Sequence, residues 1–171
     1  MTQRELRQSL STMTIIVDTR EQRTVESVSR YEQFGLPYVR RKLDYGDYSA
    51  ECTLPDGETF SLVNSVAIER KMSIDELCLC LGKDRDRFTR EFERASDADA
   101  KIYLLVENAD WAKIYLHYYR SRMTVPSLVG SLLTFSGRYK LQTVFCSSSF
   151  SGKLIADILT FEMRERLINR E

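Results

Sequence analysis

The sequence predicts an α/β fold in which a mixed central sheet is flanked by helices. Short β-branched or apolar runs, such as Met13 to Val17 and Lys101 to Glu107, alternate with longer stretches of helical periodicity, the pattern of strands covered by helices. Pro55-Asp56-Gly57 is a tight-turn signal between two extended runs, so at least one strand pair should be antiparallel. A chain of 171 residues that is 43% apolar and 29% charged suits one compact core, and neither a repeat nor a linker divides it.

Taken in order, residues 1–12 form a polar tail, frayed or weakly helical, and one domain spans 13–171. Met13 to Val17 reads as a buried strand that delivers Asp18 at its carboxyl end, where open α/β sheets bind ligands. Val25 to Phe34 reads as a helix closed by Gly35. Tyr38 to Leu43 is a second strand carrying Arg40, Arg41 and Lys42, which are either phosphate contacts or solvated edge charges. After the turn Asp44-Tyr45-Gly46, Asp47 to Leu54 and Thr59 to Glu69 should pair as an antiparallel hairpin, bringing Asp47 and Glu69 together. Ser73 caps a helix to Leu81, with Asp75 and Glu76 in its first turn as the helix dipole favours. A second, densely charged helix runs from about Asp84 to Ala95. Lys101 to Glu107 is a central strand. Trp111 to Tyr119 is helical, and Pro126 opens a helix through Phe135 that Gly137 ends. Leu141 to Phe145 is the last strand. The closing helix carries Leu154, Ile155, Ile158, Leu159, Met163 and Leu167 as an apolar stripe that either caps the core or joins two subunits.

The chemistry concentrates at Gly46-Asp47-Tyr48 and Glu69-Arg70-Lys71. On a strand, residues i and i+2 share a face, so Glu69 and Lys71 project together while Arg70 points away. Two carboxylates suit a hard divalent cation such as Mg2+, which can polarise a phosphodiester and activate a water. Lys71 beside it could orient or deprotonate that water, or neutralise charge developing on phosphate. On spacing alone, a solvated, charged strand end accounts for the same tripeptide.

Charge distribution adds a second signal. The formal net charge is zero, yet Trp111 to Ala156 contains no acidic residue. That stretch carries Lys113, Arg120, Arg122, Arg138, Lys140 and Lys153 among Tyr115, Tyr118, Tyr119 and Tyr139, suited to phosphates and exposed bases. The four cysteines lack paired spacing and have one histidine, His117, to join them, so reduced thiols are expected and a zinc site is not. No apolar run reaches the roughly 20 residues a membrane span needs, and the polar start is no signal peptide. A cytoplasmic protein without a membrane partner is expected.

Asp18-Thr19-Arg20-Glu21, Gly46-Asp47-Tyr48 and Glu69-Arg70-Lys71-Met72-Ser73-Ile74-Asp75 together resemble, in order, the three motifs of the ERCC-type nuclease domain, the XPF family of structure-specific endonucleases. The resemblance runs on through Gly82-Lys83-Asp84-Arg85-Asp86-Arg87-Phe88 to Glu91, covering roughly residues 14 to 145. It implies a restriction-endonuclease-like (PD-(D/E)xK) fold and Mg2+- or Mn2+-dependent cleavage of branched or junction DNA, in DNA repair or recombination. It also implies that Asp47 and Glu69 are the principal metal ligands, with Asp18 joining directly or through water, and that Lys71 serves the attacking water. Arg70 and Arg20 would pair with carboxylates or contact the scissile strand, Asp75 and Glu21 would orient Arg70 or Lys71, and Arg87 would support the site. Arg40, Arg41, Arg120, Arg138 and Lys140 are the further candidate DNA contacts. Best-known members append a tandem helix-hairpin-helix module. No such sequence occurs in these residues, so a compact stand-alone version is expected. A homodimer is implied, with the Leu154–Leu167 stripe and the Trp111–Tyr119 helix as candidate interfaces.

Two other readings stand beside the nuclease. A catalytically silent DNA-binding scaffold of the same fold would ordinarily have lost motif residues, whereas Asp47, Glu69 and Lys71 are all present. An unrelated domain binding a small phosphorylated ligand would call for a Gly-rich phosphate loop, which the sequence lacks.

Overall fold

The computed structural model describes residues 1–170. Its elements run α1 (Gln3–Ser11), β1 (Thr14–Val17), α2 (Val25–Glu32), β2 (Tyr38–Arg40), β3 (Tyr48–Thr53), β4 (Thr59–Ser61) and β5 (Val66–Lys71). They continue through α3 (Ile74–Leu81), α4 (Arg85–Asp97), β6 (Lys101–Glu107), α5 (Trp111–Tyr115), α6 (Val125–Tyr139), β7 (Leu141–Cys146) and α7 (Ser151–Ile168). The sheet order is β2-β1-β3-β5-β6-β7, with β4 pairing β3 off this path. β1–β2, β5–β6 and β6–β7 are parallel, while β1–β3, β3–β4 and β3–β5 are antiparallel, so the sheet is mixed as expected.

Alternation along the strands builds two cores. Ala67 on β5 and Ile102, Leu104 and Val106 on β6 pack with α3, α4 and α6 through Leu77, Phe92, Leu132 and Phe135. Val66, Ile68 and Leu105 point the other way, into a core closed by α1, α2 and α7 through Leu6, Tyr31, Leu159 and Met163. Burying each such side chain contributes about 1.5–3 kcal/mol. The consequence falls at the end of β5. Glu69 continues the Ala67 row toward α4, and Arg70 continues the Val66–Ile68 row toward α2.

Several boundaries differ from expectation. The polar stretch 1–12 is a helix with a Thr2/Glu5 capping box, and its buried Leu6 joins the α2/α7 core. The run from Thr59 to Glu69 is broken at Leu62–Ser65, so the expected hairpin becomes a short β3–β4 ribbon, and β5 meets β3 at the single pair Tyr48 and Ile68. β2 stops at Arg40 rather than Leu43. α5 stops at Tyr115, and His117 has a positive φ of 55° that ends any helical continuation. Gly137 does not end α6, which runs to Tyr139 and is closed by Lys140 in the left-handed region. The stripe on α7 caps the core: Ile155, Leu159, Met163 and Leu167 are buried against β1, β3 and α1, leaving it unavailable as a subunit interface. All four cysteines are free thiols. Among the described residues no helix is long and apolar enough to cross a membrane.

Candidate functional site

Backbone geometry holds Asp47 in place before its side chain does anything. Gly46 has φ +71°, and a Cβ there would fall 2.7 Å from the Ala67 side chain and 3.2 Å from the Ile68 carbonyl. Only glycine lets this turn lie so close to β5. The Asp47 N–H donates to the Ile68 carbonyl at 2.8 Å, and the Asp47 carbonyl accepts from the Asp18 N–H at 2.8 Å. Its carboxylate Oδ2 accepts the backbone N–H of Arg70 at 2.8 Å. The Gly46 N–H donates to Glu91 on α4 at 2.9 Å, so a further carboxylate closes this side of the turn.

Glu69 is 5% exposed and Lys71 7% exposed, and the Lys71 ammonium is ion-paired with Glu69 Oε1. The ammonium also lies 5.2 Å from the centroid of the Phe88 ring. Glu69 Oε2 is buried with no hydrogen-bond partner among the described residues. Burial first, then the neighbouring Asp47, holds the Glu69 carboxyl well above its ordinary range. Burial likewise pushes Asp47 up to about 6, with Glu21 and Glu91 adding to it against the pull of Lys71. Burial alone would lower Lys71, but Glu69 and Asp47 outweigh it and raise the lysine. Two crowded carboxylates, one with an orphaned oxygen, fit a divalent cation that would relieve their repulsion. Among the described residues no group of three or more His, Cys, Asp or Glu side chains is gathered to hold a metal, so waters and substrate oxygens would complete the shell of such an ion.

On the opposite face, the side chain of Arg70 joins a closed ring of ion pairs. Arg70 reaches Glu107 at 3.2 Å and Glu21 at 3.3 Å, while Arg30 on α2 reaches the same Glu107 at 3.1 Å and the same Glu21 at 3.1 Å. Tyr48 Oη donates to Glu21 at 3.0 Å. Two positive and two negative groups cancel within the ring, which ties together the β1–α2 loop, α2, β5 and β6.

Not every candidate from the sequence gathers here. Asp18 is 0% exposed, and both its oxygens are spent on Arg20 and on the Leu43 N–H at 2.6 Å, so it holds the 18–20 turn rather than facing Glu69. Burial opposes its ionisation, but these hydrogen bonds outweigh that and keep its carboxyl below the ordinary value. Arg20 pairs with Asp18 at 2.8 Å and lines the cleft. Asp75 does not orient Arg70 or Lys71: it accepts the N–H groups of Arg120 and Ser121 at 2.8 and 2.7 Å, holding the loop after α5. Arg87 is exposed and lines the cleft with Asp47, Glu69 and Lys71. Arg40 donates to the carbonyls of Thr19 and Glu21, bracing the loop beside the cleft, and Arg41 pairs with Glu51. Arg120 has a side chain 95% exposed beside Asp75. Arg138 and Lys140 stand apart from the cleft. Leu141 lies opposite Ile102, whereas Lys71 lies opposite Val106, so four residues of strand, about 13 Å, separate the two levels of the sheet.

Sequence reasoning missed Arg30, Glu107 and Tyr48 as members of the ring, and the hydrogen bond from Gly46 to Glu91. Glu107 carried a signal, since it directly follows the apolar run Ile102 to Val106. Arg30 did not, because an arginine on a surface-type helix is ordinarily solvated.

The cleft itself has a volume of about 960 Å3 and runs from Asp47, Glu69, Lys71, Arg87 and Glu91 across the ring to Asn108 and Ser148. A family model described as ERCC4 domain matches residues 17–158. Among solved structures, XPF from Aeropyrum pernix is similar with a TM-score of 0.60 and 22% identity, over 92% of this chain and 62% of that one. XPF from Aeropyrum pernix in complex with DNA has a TM-score of 0.60 and 20% identity, over 90% of this chain and 66% of that one. This chain thus spans about two thirds of the length of these structures. No curated protein matches it. The likeness is one of fold, and it agrees with the restriction-endonuclease-like arrangement expected from the motifs.

Proposed function

The chain belongs to the ERCC4 domain family, and from that premise we propose that it is a Mg2+- or Mn2+-dependent DNA endonuclease acting at branched or single-strand/double-strand junctions. The observation that carries the reading is the pair of carboxylates Asp47 and Glu69 next to an ammonium, with Glu69 buried and one of its oxygens unpartnered among the described residues, in a cleft large enough for a nucleotide. Asp47 and Glu69 would hold the divalent cation, which when bound supplies Lewis-acid activation of a phosphodiester and of the attacking water. Asp18 is better assigned to holding Arg20 than to the metal.

The remaining work is done by side chains in place. Lys71, paired to Glu69, donates toward the scissile phosphate and balances the charge that builds there during in-line attack. Arg20 and Arg87 on the cleft walls bind the flanking phosphates as charge-assisted donors. Arg70 offers its backbone N–H to Asp47 and fixes the direction of that carboxylate, while its side chain anchors the end of β5 in the ring. Pairing of two copies, a property the family resemblance implies, would use the exposed Trp111, Tyr115 and Tyr118 rather than the buried stripe on α7.

The test is cleavage of a labelled panel of flap, fork, splayed-arm and duplex DNAs in Mg2+ and in Mn2+, with Glu69→Gln and Lys71→Ala alongside. The wild type should cut a junction substrate, and both variants should bind DNA while losing roughly 10³-fold or more in cleavage rate, the scale on which electrostatic catalytic groups act. A wild type that binds without cutting in either metal removes the endonuclease assignment and leaves a DNA-binding scaffold of the same fold.

A further inference from the structure

The cleft changes character along its length. The end described above is lined by charged groups, but the far end is lined by Thr24, Ser29, Gln33, Asn108, Ser148 and Ser149, none of them charged. The nearest cations, buried Arg30 and half-buried Arg70, are each shared between two carboxylates, and the exposed Glu26 also lines the cleft. A phosphate gains little there. A neutral, hydrogen-bonding part of a nucleotide fits better.

Two carboxamides fix which hydrogen bonds that end can offer. Asn108 follows β6 with a left-handed φ of 56°, and its side-chain oxygen accepts the N–H of Ser148 at 3.1 Å and the Ser148 hydroxyl at 3.2 Å. Gln33, which caps the end of α2, accepts the N–H of Gly152 at 3.1 Å through its side-chain oxygen. A backbone N–H can only donate, so in both residues the oxygen must face it and the amide N–H2 must point elsewhere. Neither amide nitrogen has a hydrogen bond among the described residues, and both residues line the cleft. The support beneath them is rigid. A Cβ on Gly152 would meet the Arg30 carbonyl at 2.1 Å, so the start of α7 is pressed directly onto α2.

We propose that this end of the cleft is a nucleoside subsite, in which the N–H2 groups of Asn108 and Gln33 donate to acceptor atoms of one unpaired base beside the scissile phosphate. The inference rests on the DNA reading above and extends it from the phosphate to the neighbouring nucleoside. Carboxamides are suited to base edges, and an unpaired base exposes acceptors that a duplex hides. The subsite therefore gives the cleft a preference for a junction in which the nucleotide next to the cut is not paired.

Binding tests this apart from catalysis. Fluorescence anisotropy in EDTA would follow a labelled splayed-arm DNA and a series in which one abasic nucleotide is stepped across the junction. Wild type should lose about 3–10-fold in affinity at one or two adjacent positions and nowhere else, the scale of one or two neutral hydrogen bonds. Asn108→Ala and Gln33→Ala should lose a similar factor on intact DNA, and nothing more when the abasic nucleotide sits at the sensitive position. Asn108→Asp, which keeps the oxygen for Ser148 but replaces the donor with a charge, should keep the wild-type melting temperature and lose more affinity than Asn108→Ala, the excess being repulsion that high salt screens. A flat abasic scan, or losses in the two alanine variants that persist at the sensitive position, overturns the subsite. Cleavage in Mg2+ is read separately. Cutting with a flat scan leaves the nuclease standing without the subsite, and a position-specific scan without cutting leaves the subsite standing without the nuclease.

Discussion

Glu69 and Lys71 on one face of β5 can be set against Arg70 on the other. Both faces bury charge at the same end of the same strand, within one residue of each other. Toward α2, Arg70 enters a ring in which every charged group meets two of opposite sign, at 3.1 to 3.3 Å. Toward α4, Glu69 meets one ammonium and feels the carboxylates of Asp47 and Glu91, and one of its oxygens has no hydrogen-bond partner among the described residues. The first arrangement is complete without a ligand and the second is not. Buried polar groups in folded proteins are ordinarily satisfied, so the incomplete face is where a ligand is expected, and the complete face is what can hold it still.

The largest effect should come from opening the ring. Glu107→Ala leaves the buried Arg30 and the half-buried Arg70 each with one of two carboxylate partners gone, a kind of change that costs about 3–5 kcal/mol. For a chain of this size that corresponds to a fall of roughly 10 °C in melting temperature. Arg30→Met combined with Glu107→Leu should cost distinctly less than the two single changes added together, because the double variant leaves fewer charges stranded. Thermal or urea unfolding of the three proteins measures this directly. Additive losses would mean that the ring is only a set of separate contacts.

A smaller effect of the opposite sign should appear on the incomplete face. Asp47 is held at about 6, above the roughly 3.9 of an unfolded chain, so the folded protein binds that proton more tightly than the unfolded one does. Its contribution to stability is therefore fully present below about pH 4 and is lost as pH rises through about 6. Glu69 is displaced in the same direction. Asp47→Asn keeps an oxygen for the Arg70 N–H and removes the charge. In EDTA at pH 7.5 it should be more stable than wild type by on the order of 1–2 kcal/mol, less than the two-unit displacement would carry for a fully buried group. At pH 4 the two proteins should melt together. Millimolar Mg2+ or Mn2+ should then raise the melting temperature of wild type at pH 7.5 and leave Asp47→Asn nearly unmoved. A variant less stable than wild type in EDTA at pH 7.5 would contradict the reading of this face as strained.

The two faces were not equally legible in the sequence. The parity of Glu69 and Lys71 follows from the period of a strand, and the strand itself from the apolar run before it, so the face that carries Glu69 and Lys71 could be read locally. The ring could not. Its members Glu21, Arg30, Arg70 and Glu107 are spread over 87 positions and meet only because β5 and β6 run parallel while α2 packs across their ends. Local reading also misplaced Asp75. Its position six residues after Glu69 suggested a partner for Arg70 or Lys71, but as the second residue of α3 its carboxylate turns to the loop at Arg120 and Ser121. Asp18 was placed correctly at the end of β1, yet its oxygens were already engaged by the turn it begins. The elements came through because they rest on periodicity and caps. Their ends moved where a left-handed residue or a break at Leu62–Ser65 intervened, which no apolar pattern encodes.

The smallest effect concerns the basic residues that the acid-free stretch seemed to collect. Arg138 and Lys140 lie about 13 Å along the sheet from the level of Lys71, Lys140 is paired with Asp99, and Arg138 covers the Tyr139 ring at 5.8 Å. A sequence rich in lysine and arginine is therefore not one surface, because α6 carries its last turn to the opposite end of the sheet from the carboxylates. Arg138→Ala and Lys140→Ala should change the affinity for a short junction DNA by less than about 2-fold, with the salt dependence of binding unaltered. Arg87→Ala, on the cleft wall, should weaken binding several-fold and lower the slope of affinity against salt by about one counterion. Equal losses from all three variants would mean that the DNA wraps the length of the sheet, and the division between a charged mouth and a remote basic end would have to be abandoned.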